Sequence, residues 1–286
     1  MPSHDIALIT DSTCDIPQHL LDRYDIIMIP LLIIWGEETL RDHVDLQPQA
    51  FYQRLTEDAV HPKTAHPNPP RFVRAYQEAK ENGAEEIVMI TISSEMSGTF
   101  DAAQQAAKQV DIPVHCLDAR GPTMSLGWQV LAAARAREAG GDVQAMLAAA
   151  EKVRQKLVQL VCLDTLEYLH KGGRIGGATR FIGTLLHVKP IIYIDHETGR
   201  VEAATQVRTR KRSLETMYQR FFEQLDTSSP LHIAVLHGDA PEEAQHMAGR
   251  IQRDYAPGEL LINITGPVLG VHTGPGAIAL CGYAEK

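Results

Sequence analysis

Between residues 87 and 140 the chain alternates twice between a short apolar run and a helical pattern. IVMITI (87–92) is followed by SGTFDAAQQAAKQV (97–110), and PVHCLDA (113–119) is followed by SLGWQVLAAARAREAG (125–140). A strand parallel to its predecessor needs a crossover of about a dozen residues, usually a helix. This alternation therefore predicts βαβ units, a parallel sheet and an α/β fold. IALIT (6–10), ending in the turn formers Asp11-Ser12-Thr13, predicts a further buried strand.

Other segments are read in the same way. A helix near 17–23 follows from Pro17, which suits a first turn. IIMIPLLIIW (26–35) is interrupted by Pro30 and predicts either two short strands or one bulged edge strand. A helix starts around Pro48. Pro62, Pro67, Pro69 and Pro70 force an extended path over 61–72, and a helix from about Pro69 to Asn82 is closed by Gly83. After a helical stretch at 142–158 the pattern changes. IIYIDHETGRVEAATQVR (191–208) predicts a hairpin around Thr198-Gly199. LHIAVLHG predicts a strand, PEEAQHMAGRIQRDY a helix, and 259–283 two or three final strands. The domain change falls near 155–165, giving α/β domains over 1–160 and 161–286, the first with a parallel sheet and the second with a mixed one.

Composition narrows the function. With 36 acidic against 27 basic residues the net charge is -9. That argues against nucleic acid as a partner, which requires a basic face. The basic segment RTRKR (208–212) is short and reads as solvated surface. The four cysteines are far apart and form no metal-ligand spacing, so no metal site is expected. Set in apolar stretches, they read as reduced core residues of a cytoplasmic protein. No apolar run reaches the roughly 20 residues of a membrane span, and the first residues do not form a secretion signal.

The chemistry concentrates where strands end. TISSEMSGTF (91–100) places Ser93, Ser94, Ser97 and Thr99 at a strand-to-helix junction. Such a junction leaves unpaired N–H groups, and the helix dipole favours an anion there. Ser97 reads as the helix N-cap or as part of an anion cradle; Gly98 allows close approach to the backbone. A nucleophile is a third reading, but G-x-S-x-G is absent. KGGRIGGATR (171–180) has no preceding strand and no phosphate-loop spacing, so it reads as a flexible connection after a helix. Arg174 within it is a mobile cation suited to an anion or a partner. His272, in GVHTGPG, is placed at a strand end. Asp11, Ser12 and Thr13 sit where an open α/β sheet has its ligand crevice, with Thr13 or Asp15 an equally good helix cap.

Taken in order, LITDSTCDIP (8–17), IPLLI (29–33), PKTAHPNPPRF (62–72), ISSEMSGTF (92–100), LEYLHKGGRIGGATRFIGTLLHVKPII (166–192) and GVHTGPG (270–276) resemble the DegV family of bacterial fatty-acid-binding proteins. The resemblance covers essentially the whole chain. It implies two α/β domains with a lipid tunnel between them, holding a long-chain fatty acid such as palmitate or oleate and no cofactor. It implies that Thr64 and Ser97, with Ser93 and Ser94 nearby, grip the carboxylate, and that Arg174 and His272 lie at the tunnel mouth or partner face. It further implies a non-catalytic carrier that presents the carboxylate to an ATP-dependent fatty acid kinase, yielding acyl phosphate for phospholipid synthesis, with transient membrane contact left open. Two departures stand out: Ala65 and His66 replace a serine and a glutamine, and Asp118-Ala119-Arg120 replaces a more usual Asp-Ser. The competing readings are a serine acyl-hydrolase using Ser97, His272 and Asp11 or Asp118, and a small-molecule or nucleotide-binding regulator.

Overall fold

The computed structural model describes residues 5–181 and 188–286. The part of LEYLHKGGRIGGATRFIGTLLHVKPII at 182–187 lies outside them. The chain begins with β1 (Ile6–Asp11), a 3₁₀ turn, α1 (Gln18–Arg23) and β2 (Ile26–Ile29). Pro30 stops β2, since it has no N–H for a ladder. The apolar run continues as a separate strand, β3 (Leu32–Trp35), followed by β4 (Glu38–Arg41), α2 (Pro48–Glu57) and β5 (Lys63–Ala65). Then come α3 (Pro69–Glu81), β6 (Glu86–Thr91), α4 (Thr99–Ala107), β7 (Val114–Asp118), α5 (Met124–Glu138) and α6 (Val143–Arg154). The second half holds β8 (Val158–Cys162), α7 (Glu167–Lys171), β9 (Lys189–Asp195), β10 (Arg200–Val207), α8 (Arg210–Phe222), β11 (Leu231–His237), α9 (Pro241–Tyr255), β12 (Glu259–Ile264), α10 (Pro267–Thr273) and β13 (Ile278–Ala284).

β2-β1-β6-β7 form a wholly parallel sheet. β10-β9-β8-β13-β11-β12 form a mixed sheet, antiparallel except for β11 with β12. β4-β3-β5 form a small antiparallel sheet. Thus 26–35 is two strands serving two different sheets. The hairpin around Thr198-Gly199 is the β9–β10 connection, with Gly199 at φ +77°. An added Cβ there would lie 2.4 Å from Ser93 Oγ, so glycine is required by space as well as by φ.

The extended path over 61–72 contains β5, pairing Thr64 with Ile33. Two sequence expectations need correction. The C-terminal segment has two strands with α10 between them, so His272 sits in the last turn of a helix. RTRKR is not surface throughout: Arg210 opens α8 half-buried, bonded to Glu243 and to the Gly276 carbonyl. The cysteines are core residues in three cases, Cys14, Cys162 and Cys281, with Cys116 partly buried.

One hydrophobic cluster joins the two large sheets. It contains Leu8 and Val88 of the parallel sheet, Trp128 and Leu131 of α5, and Ala279 and Tyr283 of β13. The strand ends of the parallel sheet, the face of the mixed sheet and α10 surround the space described next.

Candidate functional site

β6 ends at Thr91, and the connection to α4 crosses the mixed sheet's hairpin. Ser93 is fully buried there; its Oγ donates to the Gly199 carbonyl at 2.7 Å and accepts from Glu95 N. Ser94 turns outward, its Oγ donating to Asp118 Oδ2 at 2.6 Å. These two serines build the loop and do not line the cavity beside it. Only Ser97 does, which corrects the grouping of the three. Ser97 is not the cap of α4 either: the N-cap is Gly98, with no side-chain capping bond, and Ser97 Oγ pairs with Thr99 Oγ1 at 2.8 Å. The positive end of the α4 dipole adjoins this rim.

The empty space beside this loop, counted out into the solvent at its mouth, is about 970 Å³. Its walls are mostly apolar: Val161, Ile192 and Ile194 from the mixed sheet, Leu31 and Ile92 from the parallel-sheet side, and Val268 from α10. Polar groups gather at the mouth. Thr64 Oγ1 lies 2.9 Å from His272 Nε2, so β5 and α10 meet there. The His272 Nδ1 is buried without a hydrogen-bond partner among the described residues. It packs on Gly172, where an added Cβ would stand 2.1 Å away. Burial pulls the His272 pKa down to about 4, helped by the positive charge of Arg174 and His61, so the ring is neutral near pH 7. His66 lies against Gly98, whose added Cβ would be 2.9 Å from its Cε1.

Arg174 is exposed at the same mouth, but it is not free. Its Nε donates to the Met96 carbonyl at 3.0 Å and its Nη1 to the Gly172 carbonyl at 2.9 Å. The glycines around it answer to packing and backbone conformation. Gly173 and Gly176 adopt positive φ, and an added Cβ on Gly177 would collide with the Glu202 carboxylate. Sequence reading took these glycines as flexibility because glycine spacing does not report what lies opposite.

Thr64, Ser97, Arg174 and His272 therefore come together, and Ser93 and Ser94 do not join them. No hydrolytic chain links Ser97 to an acid through His272: His272 is bonded to Thr64 and Ser97 to Thr99. Asp11 accepts from Thr13 Oγ1, Thr13 N and Ile92 N. Asp118 accepts from Ser94 and Arg120 N. Among the described residues no cluster of His, Cys, Asp and Glu is arranged to hold a metal. A mouth built from hydroxyls, a neutral imidazole, a helix start and one guanidinium can hold a carboxylate without a buried counter-ion. Sequence reading missed Gln159, a polar residue inside the apolar run LVQLVC, which also lines the cavity.

The model of the family described as "Uncharacterised protein, DegV family" matches residues 5–285. The chain belongs to the DegV family. A DegV domain-containing protein of Streptomyces coelicolor is 36% identical over 280 residues, covering 97% of this chain and 98% of the relative. Among solved structures, a DegV family protein of Thermus thermophilus, described by its fatty acid binding, has a TM-score of 0.91 at 32% identity. That match covers 98% of this chain and 99% of the other. DegV of Bacillus subtilis, described as a fatty acid binding protein, also has a TM-score of 0.91, at 30% identity and with the same coverage. The parallel sheet with a separate mixed sheet is the DegV architecture. No helix among the described residues is long and apolar enough to cross a membrane.

Proposed function

We propose that this DegV protein binds one long-chain fatty acid, tail inward, with its carboxylate at the mouth between Thr64, Ser97 and His272. The observation that carries the reading is the polarity of the cavity: hydrogen-bonding groups gather at the opening, and the walls behind it are mostly apolar. Each buried CH₂ contributes about 0.8 kcal/mol, so the tail supplies most of the affinity. Hydrogen bonds to the charged head contribute roughly 1.5–3 kcal/mol each and fix its direction. Related proteins described as fatty acid binders share the fold at 30% identity or more.

The protein acts as a carrier and not as a hydrolase, and it uses no cofactor. The segments 1–160 and 161–286 supply the opposing walls. The carboxylate at the mouth is offered to an ATP-dependent fatty acid kinase, with Arg174 on the face the kinase meets; palmitate and oleate are the ligands to try first.

Native mass spectrometry of the purified protein tests the carrier reading, with one fatty acid per chain expected. A ligand-free protein that takes up neither palmitate nor oleate would end it. Thr64→Val and Ser97→Ala should each weaken binding by about 1–3 kcal/mol, roughly 5- to 150-fold. The free acid should suffer more than its methyl ester; equal losses would place the headgroup elsewhere.

A further inference from the structure

The inner end of the cavity is not apolar. Along β8, Gln159 and Val161 both line the space, two residues and about 6.6 Å apart. β8 runs from Gln159 towards α7 and the Arg174 mouth, so Gln159 marks the far end. Its cross-strand neighbour on β13 is Cys281. The side chain is 3% exposed.

A buried relay holds this carboxamide. Ser125 Oγ donates to Gln159 Oε1, lies 2.7 Å from His196 Nε2 and 3.5 Å from Cys281 Sγ. His196 is also buried, and burial pulls its pKa down to about 4, so it is neutral. Ser125 has one hydroxyl hydrogen, and it goes to Gln159 Oε1. His196 Nε2 must then carry the proton of the neutral ring and donate to Ser125 Oγ. That leaves the Gln159 NH₂ as the other end, without a partner among the described residues, on a side chain that lines the cavity. A plain hydrocarbon reaching this point would strip water from the donor and give nothing back.

We propose that the inner end of the cavity is a second polar subsite. Gln159, oriented by Ser125 and His196, donates a hydrogen bond to a hydroxyl oxygen far along the acyl chain. The ligand class is thus a hydroxylated long-chain fatty acid. This rests on the fatty-acid reading above and adds the tail to it. Gln159 is a specificity residue, and Ser125 and His196 position it.

The test compares two pairs of acids by calorimetry: hexadecanoic with 16-hydroxyhexadecanoic acid, and octadecanoic with 12-hydroxyoctadecanoic acid. Wild type, Gln159→Leu and the volume-conserving Gln159→Met are titrated with all four. The expected result is that at least one hydroxy acid loses about tenfold relative to its parent in both variants, while the parents bind the variants at least as tightly as wild type. If the hydroxy-to-parent ratio is the same in all three proteins for both pairs, the subsite is overturned and the fatty-acid reading stands. If none of the four acids binds wild type, the fatty-acid reading falls and takes this one with it. Retained binding of the parent acids shows that a variant has folded, and the Met variant serves where Leu does not fold.

Discussion

Asp42 has no exposed surface, and the charges closest to it are of its own sign. Its Oδ2 accepts from Ser12 Oγ at 2.6 Å and its Oδ1 from Val268 N at 3.4 Å. Burial pushes its pKa up to about 8, with the Asp15 and Asp11 charges adding to the effect. Asp15, bonded to Thr123 Oγ1 and Gly266 N, is pushed by burial up to about 7. Both values lie above the usual carboxylate pKa near 3.9. The folded chain then holds protons that the unfolded chain has released, so ν_N exceeds ν_U and stability falls as pH rises. The contribution is intact below about pH 4 and is lost progressively up to about pH 7–8. Asp42→Asn keeps an oxygen for Ser12 and never ionises. It should flatten the decline of the urea midpoint between about pH 5 and 8; a slope equal to wild type would show that Asp42 is ionised in the folded state. Sequence placed Asp11 at a strand end and Asp15 as a helix-cap candidate, but not their burial together with Asp42. Likewise it could name Ser93, Ser94 and Ser97 without sorting them, because the direction of each hydroxyl is set by the loop and the Gly199 hairpin, not by any period.

At the scale of elements, apolar runs of five or six residues were legible as strands because burial on both faces demands them. Several were not, β4 and β8 among them, and two of these shape the mouth. β5 is three residues between Pro62 and Pro67, too short to show alternation, and only its pairing with β3 defines it. α10 reads Pro-Val-Leu-Gly-Val-His-Thr, whose β-branched residues and glycine favour strand by propensity. Packing overrides this: its Val268 and Val271 join Phe51 and Tyr52 of α2 in one cluster. β5 and α10 carry mouth residues, Thr64 and His272. The turn after α7 completes the mouth by clasping the β6–α4 connection through Arg174 and the Met96 carbonyl. Arg174→Ala removes that clasp and leaves the apolar walls untouched. Fatty-acid release and uptake should both accelerate, by about 5- to 10-fold for a lost bond of about 1–1.4 kcal/mol, with Kd changing by less than about 1 kcal/mol. Stopped-flow displacement of a fluorescent fatty acid measures this. Unchanged rates with a large loss in Kd would make Arg174 a headgroup ligand instead of a clasp.

At the scale of the whole molecule, α5 settles how the two large sheets cooperate. Its sequence is apolar or small nearly all round, the mark of a helix enclosed by protein. Met124 to Leu131 are buried without a break. α5 packs against β1 on one side and β13 on the other. Trp128 is its largest buried side chain: fully enclosed, with Nε1 donating to the Cys281 carbonyl at 3.2 Å and its edge on Tyr283 and His232. It belongs to the same cluster as Leu8 and Val88 of the parallel sheet. The two large sheets are therefore held in register by one cluster that spans both, while the walls at Leu31 and Val268 belong to another. Trp128→Ala should cost about 3–5 kcal/mol. If the core is continuous, the loss is shared: urea unfolding remains a single transition, and amide exchange accelerates in β1 and β6 as much as in β13 and β11. Protection retained in β1 and β6 while β11 and β13 open, or two separated transitions, would show instead that the sheets unfold independently and that α5 is fixed to only one of them.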